Sequence, residues 1–285
     1  MLLEPRGALN GEFEKELYFV RRIIAHRHER VDQLDQQSPA FPMRADWAAL
    51  VQRYVLAPAA VPSGDRNTIE KIMESHARDN NSRQVMRTDI LRALYLTTEG
   101  PIELGSTIHL VEDGQIFRTG YSLQGGMAAR FFGRSALLDL KGLKYFWNLL
   151  NSFSQRSSIN VALDRLGLAT NDHDAADKAI DLGLALEIAL MASDPAANQE
   201  IKNKLCSRVA WLLGSDLGSR RESYRAAGQL YDARSDAAHR GILRPETASR
   251  YNFDDSRRIV RDCLAKLLER GRFPDWIDLT LGGAG

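Results

Sequence analysis

At 285 residues, with 44% hydrophobic and 26% charged side chains, the chain can bury a substantial core and is long enough for two modest domains, which excludes a disordered or collagen-like polymer. The formal net charge of +1 excludes a uniformly basic coat for nucleic acid but leaves room for a local basic patch.

Residues 1–150 read as an α+β region. Met1 to Phe13 carries Glu4, Arg6 and Glu12 and has no apolar signal core. No later run reaches the roughly 18 apolar residues of a membrane span, so a cytoplasmic protein without membrane contact is expected. Glu14 to Arg30 and Asp46 to Val55 have helical spacing, broken by Pro58, Pro62, Ser63 and Gly64. Between Ile102 and Leu123 the texture changes: Thr107, Ile108, Leu110, Ile116, Phe117 and Tyr121 flank Asp113-Gly114, which predicts a hairpin. Gln124 to Met127, with Gly125 and Gly126 followed by Arg130 and Arg134, reads as a strand-to-helix turn, because no complete phosphate-loop motif is present. Leu137 to Phe153 returns to helix, with Tyr145, Phe146 and Trp147 as core candidates.

Residues 151–285 read as a bundle of four or five helices joined by short loops, so the fold class is mainly α. Helices are predicted at Ser157 to Leu168 and at Asp172 to Ala192, the latter with Ile180, Leu184, Ile188 and Met191 on one face and Leu182, Leu186 and Ala189 widening it. Asn198 to Leu213 follows, stopped by Gly214. Ser219 and Glu222 then form a capping-box pattern opening a helix that runs to about Ala238, ended by Gly241 and Pro245. A last helix begins at Asp254 or Asp255 and ends at Gly271; Leu281 to Gly285 is read as frayed.

Metal and thiol chemistry find little footing. Cys206 and Cys263 lie inside helical apolar patterns and form no CxxC motif, so buried thiols are expected. His26 and His28 sit two residues apart, about 200° around a helix, which is poor geometry for a shared metal. Asp172 and Asp174 stand at a helix start, where acids cap exposed amides. No cofactor is expected.

The stretch with chemical content is Leu230 to Gly241, holding Arg234 and His239. Five residues on a continuous helix turn through about 140°, so these side chains diverge unless the helix ends or bends near His239, or another chain completes the site. Gly241 and Pro245 place His239 in the final turn. Imidazole is suited to proton transfer near neutral pH, and a guanidinium fork can grip the non-bridging oxygens of a phosphate. Such a pair fits attack of an RNA 2′-hydroxyl on its adjacent phosphate, a reaction that requires no metal. Arg220, Arg221, Arg225, Arg240, Arg244 and Arg250 crowd the same region and could form an RNA-binding groove; a solvated face with ion pairs is the equal alternative.

The order Arg234-Ser-Asp-Ala-Ala-His239-Arg-Gly241, preceded by Leu-Tyr-Asp, resembles the R-x4-H signature of HEPN ribonucleases, in particular their Apea-like branch. Leu163 to Leu166, Asp181 to Leu190 and Cys206 to Leu213 resemble the same branch in order and spacing, so the likeness spans about Ser154 to Arg270. It implies a helical bundle that dimerises, as a homodimer or within a higher homo-oligomer, to bring two Arg-His motifs to a shared cleft, with metal-independent endoribonuclease activity in a prokaryotic antiviral defence, toxin or abortive-infection setting. Arg234 and His239 match the motif's catalytic positions, with Tyr231, Ser235 and Asp236 in support. Ser235 stands where many members have Asn, Asp or His, and the Apea-like branch often has Ser. Glu187 falls on a recurrent acidic position and is expected to partner an arginine rather than donate a proton. Arg225, Arg240 and Arg244 are the expected RNA contacts, and the N-terminal region is the expected seat of a trigger or inhibitor. The alternative is a non-catalytic HEPN dimerisation module that binds nucleotide, RNA or a partner protein.

Overall fold

The computed structural model describes residues 18–20, 49–51, 66–98, 107–109, 122–124, 139–171, 174–191 and 200–283, and these are mainly α-helical. They fall into two compact units, one formed by Met1–Asn80 with Leu104–Leu138 and the other by Asn81–Glu103 with Asp139–Gly285.

In the first unit, strand β1 (Tyr18–Val20) pairs antiparallel with β2 (Ala49–Val51), with Tyr18 opposite Val51. Both lie where the sequence spacing predicts helix. Three residues rich in aromatic and branched side chains fit either period, and cross-strand pairing decides between them. Helix α1 (Arg66–Thr97) follows, its residues up to Asn80 belonging to this unit. A second antiparallel pair joins β3 (Thr107–His109) to β4 (Ser122–Gln124), with Ile108 opposite Leu123. The Asp113-Gly114 turn, the His26/His28 pair and the Gly125 to Arg134 segment lie outside the described residues.

The second unit begins earlier than the division at residue 150, because the end of α1 is part of its core. Ile90, Ala93, Leu94 and Leu96 are buried. Polar links reinforce them: Arg92 donates from Nε and Nη2 to the two oxygens of Asp164, at 2.8 and 2.7 Å, and from Nη1 to Asp89 at 3.0 Å. Arg156 also donates to Asp89, and buried Arg257 donates to the carbonyl of Thr98 and to Thr170 Oγ1. Polar residues dominate Arg66 to Gln84, which hides this helix from apolar periodicity.

The remaining helices are α2 (Leu140–Ser152), α3 (Arg156–Asn171), α4 (Ala175–Met191), α5 (Ile201–Leu213), α6 (Leu217–Arg240), α7 (Pro245–Ala248), α8 (Phe253–Arg270) and α9 (Trp276–Thr280). Helix α4 is central, contacting α3, α5, α6 and α8. Its deepest face carries Leu182, Leu186, Ala189 and Leu190, while Ile180, Leu184, Ile188 and Met191 are half-buried, the reverse of the order read from the sequence. Asp174 caps α4 by accepting from the Ala176 amide at 2.7 Å. Gly241 and Gly271 end α6 and α8 with φ of 72° and 73°, a left-handed geometry that favours glycine. Both cysteines are buried free thiols. No helix among the described residues is long and apolar enough to cross a membrane.

Candidate active site

Helix α6 positions Arg234 and His239, and its two ends are fixed by different devices. At the start, Asp216 accepts from the amides of Gly218 and Ser219, at 2.7 and 3.0 Å, while its own amide donates to Ser219 Oγ at 3.1 Å. This reciprocal box corrects the cap read at Ser219 and Glu222: Ser219 belongs to the box, as the third helical residue rather than the cap. These hydrogen bonds to its charged form hold Asp216 below the usual carboxylate range.

At the other end, Gly241 donates its amide to the Ala237 carbonyl at 2.8 Å, and the chain folds back over the helix. Asp236 holds that return. It is buried, and Arg244 Nε lies 2.9 and 2.8 Å from its two carboxylate oxygens; the Arg244 amide and the Thr247 hydroxyl donate to it as well. Hydrogen bonds from Arg244 and Thr247 pull the Asp236 carboxyl down to about 2. Asp236 is thus a structural clasp, a role its place beside the Arg-His motif does not announce.

Arg234 faces the core. It shares a stripe of α6 with buried Ala227 and Leu230, at about 20° and 40° of rotation from them. Its stem lies against Gly183 of α4, where an added Cβ would come within 2.4 Å of the Arg234 Cγ. Its Nη2 donates to Glu187 Oε2 at 3.0 Å, with both side chains largely shielded from solvent. Burial raises the Glu187 carboxyl above its ordinary range, and the guanidinium only partly offsets this. Among the described residues this is the one hydrogen bond Arg234 makes, so most of its donor fork stays available.

His239 lies elsewhere on the same helix. It is exposed in the last turn, and α6 continues unbroken through Arg240. The helix therefore does not end between the two residues, and on continuous helical geometry they diverge by about 140° within one chain. Tyr231 and Ser235 are half-buried, Tyr231 against the core.

The arginines separate into groups. Arg225 and Arg244 line an open cleft of about 1010 Å³ between α5, α6 and α7, joined there by Lys202, Arg220, Arg221 and Arg250. Arg240 is exposed beyond that cleft. Arg244 is partly neutralised by Asp236, and Lys202 by Asp232 at 2.6 Å. Arg220 stacks on the Trp211 ring, 3.5 Å from its centroid, and donates to the Gly214 carbonyl at 3.2 Å. Sequence reasoning missed this aromatic support, which forms across the turn between α5 and α6, and the Gly183 seat, whose partner lies 51 positions away. The run of arginines alone signalled the cleft.

No family model, curated protein or solved structure matches the chain.

Proposed function

We propose that the chain is a metal-independent endoribonuclease that works as a symmetric dimer, each copy contributing Arg234 and His239 to a shared site. The observation that carries this reading is the pairing, on one unbroken helix, of a guanidinium held by Glu187 with an imidazole left open to solvent. A twofold arrangement supplies what one chain lacks, since it can bring an imidazole of one copy toward a guanidinium of the other.

In this reading, an unprotonated His239 takes the proton of an RNA 2′-hydroxyl. The 2′-oxygen forms a bond to the adjacent phosphorus, and the bond from phosphorus to the 5′-oxygen breaks. The second copy's protonated histidine supplies a proton to that leaving oxygen. The products are a 2′,3′-cyclic phosphate and a 5′-hydroxyl. Arg234 neutralises the charge that builds on the non-bridging oxygens, and the Glu187 contact keeps the guanidinium from following the substrate as it departs. Tyr231 and Ser235 support α6 beside the pair, while Arg225 and Arg244 contribute to the basic surface along which RNA lies. A defence or toxin setting, with control through residues 1–150, fits an activity that would harm its own cell.

A test uses total RNA in EDTA with the parent protein, His239→Ala and Arg234→Lys. The parent should cut and leave cyclic phosphate ends. His239→Ala should lose about 100- to 10,000-fold, the usual weight of a general acid-base group. Activity retained in His239→Ala, or RNA left intact by the parent, defeats the proposal.

A further inference from the structure

The basic cleft is built along one stripe of α6. Arg221 and Arg225 stand one helical turn apart, about 6 Å, on the order of successive phosphates in an extended strand. Gly228 and Asp232 continue the stripe, and His239, eighteen residues beyond Arg221, completes five turns and returns to the same side, about 27 Å along the axis. Arg250 faces the stripe from the segment after α7. Arg221, Arg225 and Arg250 are exposed, and among the described residues none has an acidic partner. The acids lining the cleft are Asp232, paired with Lys202, and Glu246.

An aromatic side chain sits between the two free arginines in sequence. Tyr224 is 42% exposed on the cleft wall, and its hydroxyl donates to Asn203 Oδ1 at 3.0 Å, which fixes the ring. A presented ring flanked by unpaired cations is the arrangement that receives an unpaired base and its neighbouring phosphates. A duplex, whose bases are already stacked, gains nothing from the ring.

We infer that this cleft binds the backbone and one base of single-stranded nucleic acid, with Arg221, Arg225 and Arg250 on phosphates and Tyr224 beneath the base. The strand leaves the cleft along α6 toward His239; this endpoint rests on the ribonuclease reading, whereas the binding does not. Recognition by charge and stacking is indifferent to the sugar, so DNA binds as well as RNA although it offers no 2′-hydroxyl for cleavage.

The test uses the full chain and a fluorescein-labelled oligothymidylate, read by anisotropy across a series of salt concentrations. Replacing two phosphate contacts with Arg221→Gln/Arg225→Gln should reduce the slope of log affinity against log salt by about 1.4, and weaken low-salt binding at least about tenfold. Tyr224→Leu should weaken binding at least about fivefold without changing that slope. Arg258→Gln, outside the cleft, should bind as the parent does, and thermal melts should show all variants folded. Binding unchanged in the double variant overturns the inference, as does equal affinity for duplex DNA or full competition by a mononucleotide at equal phosphate concentration. Failure is separable from failure of the ribonuclease reading: a protein that cuts RNA but binds oligothymidylate independently of the cleft loses only this inference, and one that binds through the cleft but cuts nothing loses only the other.

Discussion

Gly183→Ala and Gly228→Ala make the same chemical change in two helix interiors, and the structure predicts opposite effects. In a helix, alanine is favoured over glycine by about 1 kcal/mol. At Gly228 that gain should be realised, because an added Cβ would lie 3.6 Å from Cys206 Sγ and 3.8 Å from Lys202 Cε, ordinary contact distances. At Gly183 the new Cβ would lie 2.4 Å from Arg234 Cγ and 2.7 Å from Arg234 Cβ. The Cγ could swing away, but the Cβ is fixed to the α6 backbone, so α4 and α6 must separate. Overpacking of this kind costs about 1 to 3 kcal/mol, leaving a net loss of about 1 kcal/mol after the helix gain. Since 1 kcal/mol shifts the melting temperature of a domain this size by about 2 to 4 °C, the two variants should melt on opposite sides of the parent. Urea unfolding checks the sign independently of heat. If Gly183→Ala is as stabilising as Gly228→Ala, α4 and α6 do not meet as closely as described and the seat of Arg234 is wrong.

Two further predictions concern carboxylates. Asp236 has its carboxyl depressed to about 2 by Arg244 and Thr247, so its contribution is fully present above the unfolded value near 3.8 and is lost as pH falls through about 2. The stability gap between the parent and Asp236→Asn, followed by chemical denaturation, should therefore be constant above about pH 5 and shrink in acid. Glu187 has the opposite sign: burial raises its carboxyl, so the folded state holds the proton more tightly than the unfolded chain. The parent should lose stability relative to Glu187→Gln as pH rises from the unfolded value through the folded one; a gap that moves the other way would show that Arg234 outweighs burial.

The parts of the fold legible in the sequence are those with local punctuation. Helices α3, α4, α5 and α8 begin and end within a few residues of their expected bounds, because Asp174, Gly214 and Gly271 act at short range. The start of α6 was displaced because Ser219 and Glu222 imitate a box whose actual acceptor is Asp216. Helix α1 escaped notice because polar residues dominate its sequence from Arg66 to Gln84, and α9 because Trp276 and Leu279 supply too few apolar positions for a period. At the site, spacing alone gave the divergence of Arg234 from His239, and the resemblance suggested an arginine partner for Glu187. Which arginine, 47 positions away, is fixed only by packing of α4 on α6. The clasp at Asp236 was equally hidden, since its partners follow a glycine reversal and Arg244 reads in isolation as a free cation.

The two stripes of α6 have different physical duties, and the proposed chemistry depends on keeping them apart. The inner stripe, through Ala227, Leu230 and Arg234, is bound to the bundle core and cannot move without cost to folding. A guanidinium placed there is preorganised, with its charge already met in part by Glu187, which suits stabilisation of a transient negative charge. The outer stripe, through Arg221, Arg225 and His239, faces solvent and can meet a strand. Moving both groups to one stripe would place a histidine in the core or an arginine in open water, sacrificing either proton exchange or rigidity. In the proposed reading a second copy unites the two groups, because the five-residue spacing turns them about 140° apart within one chain.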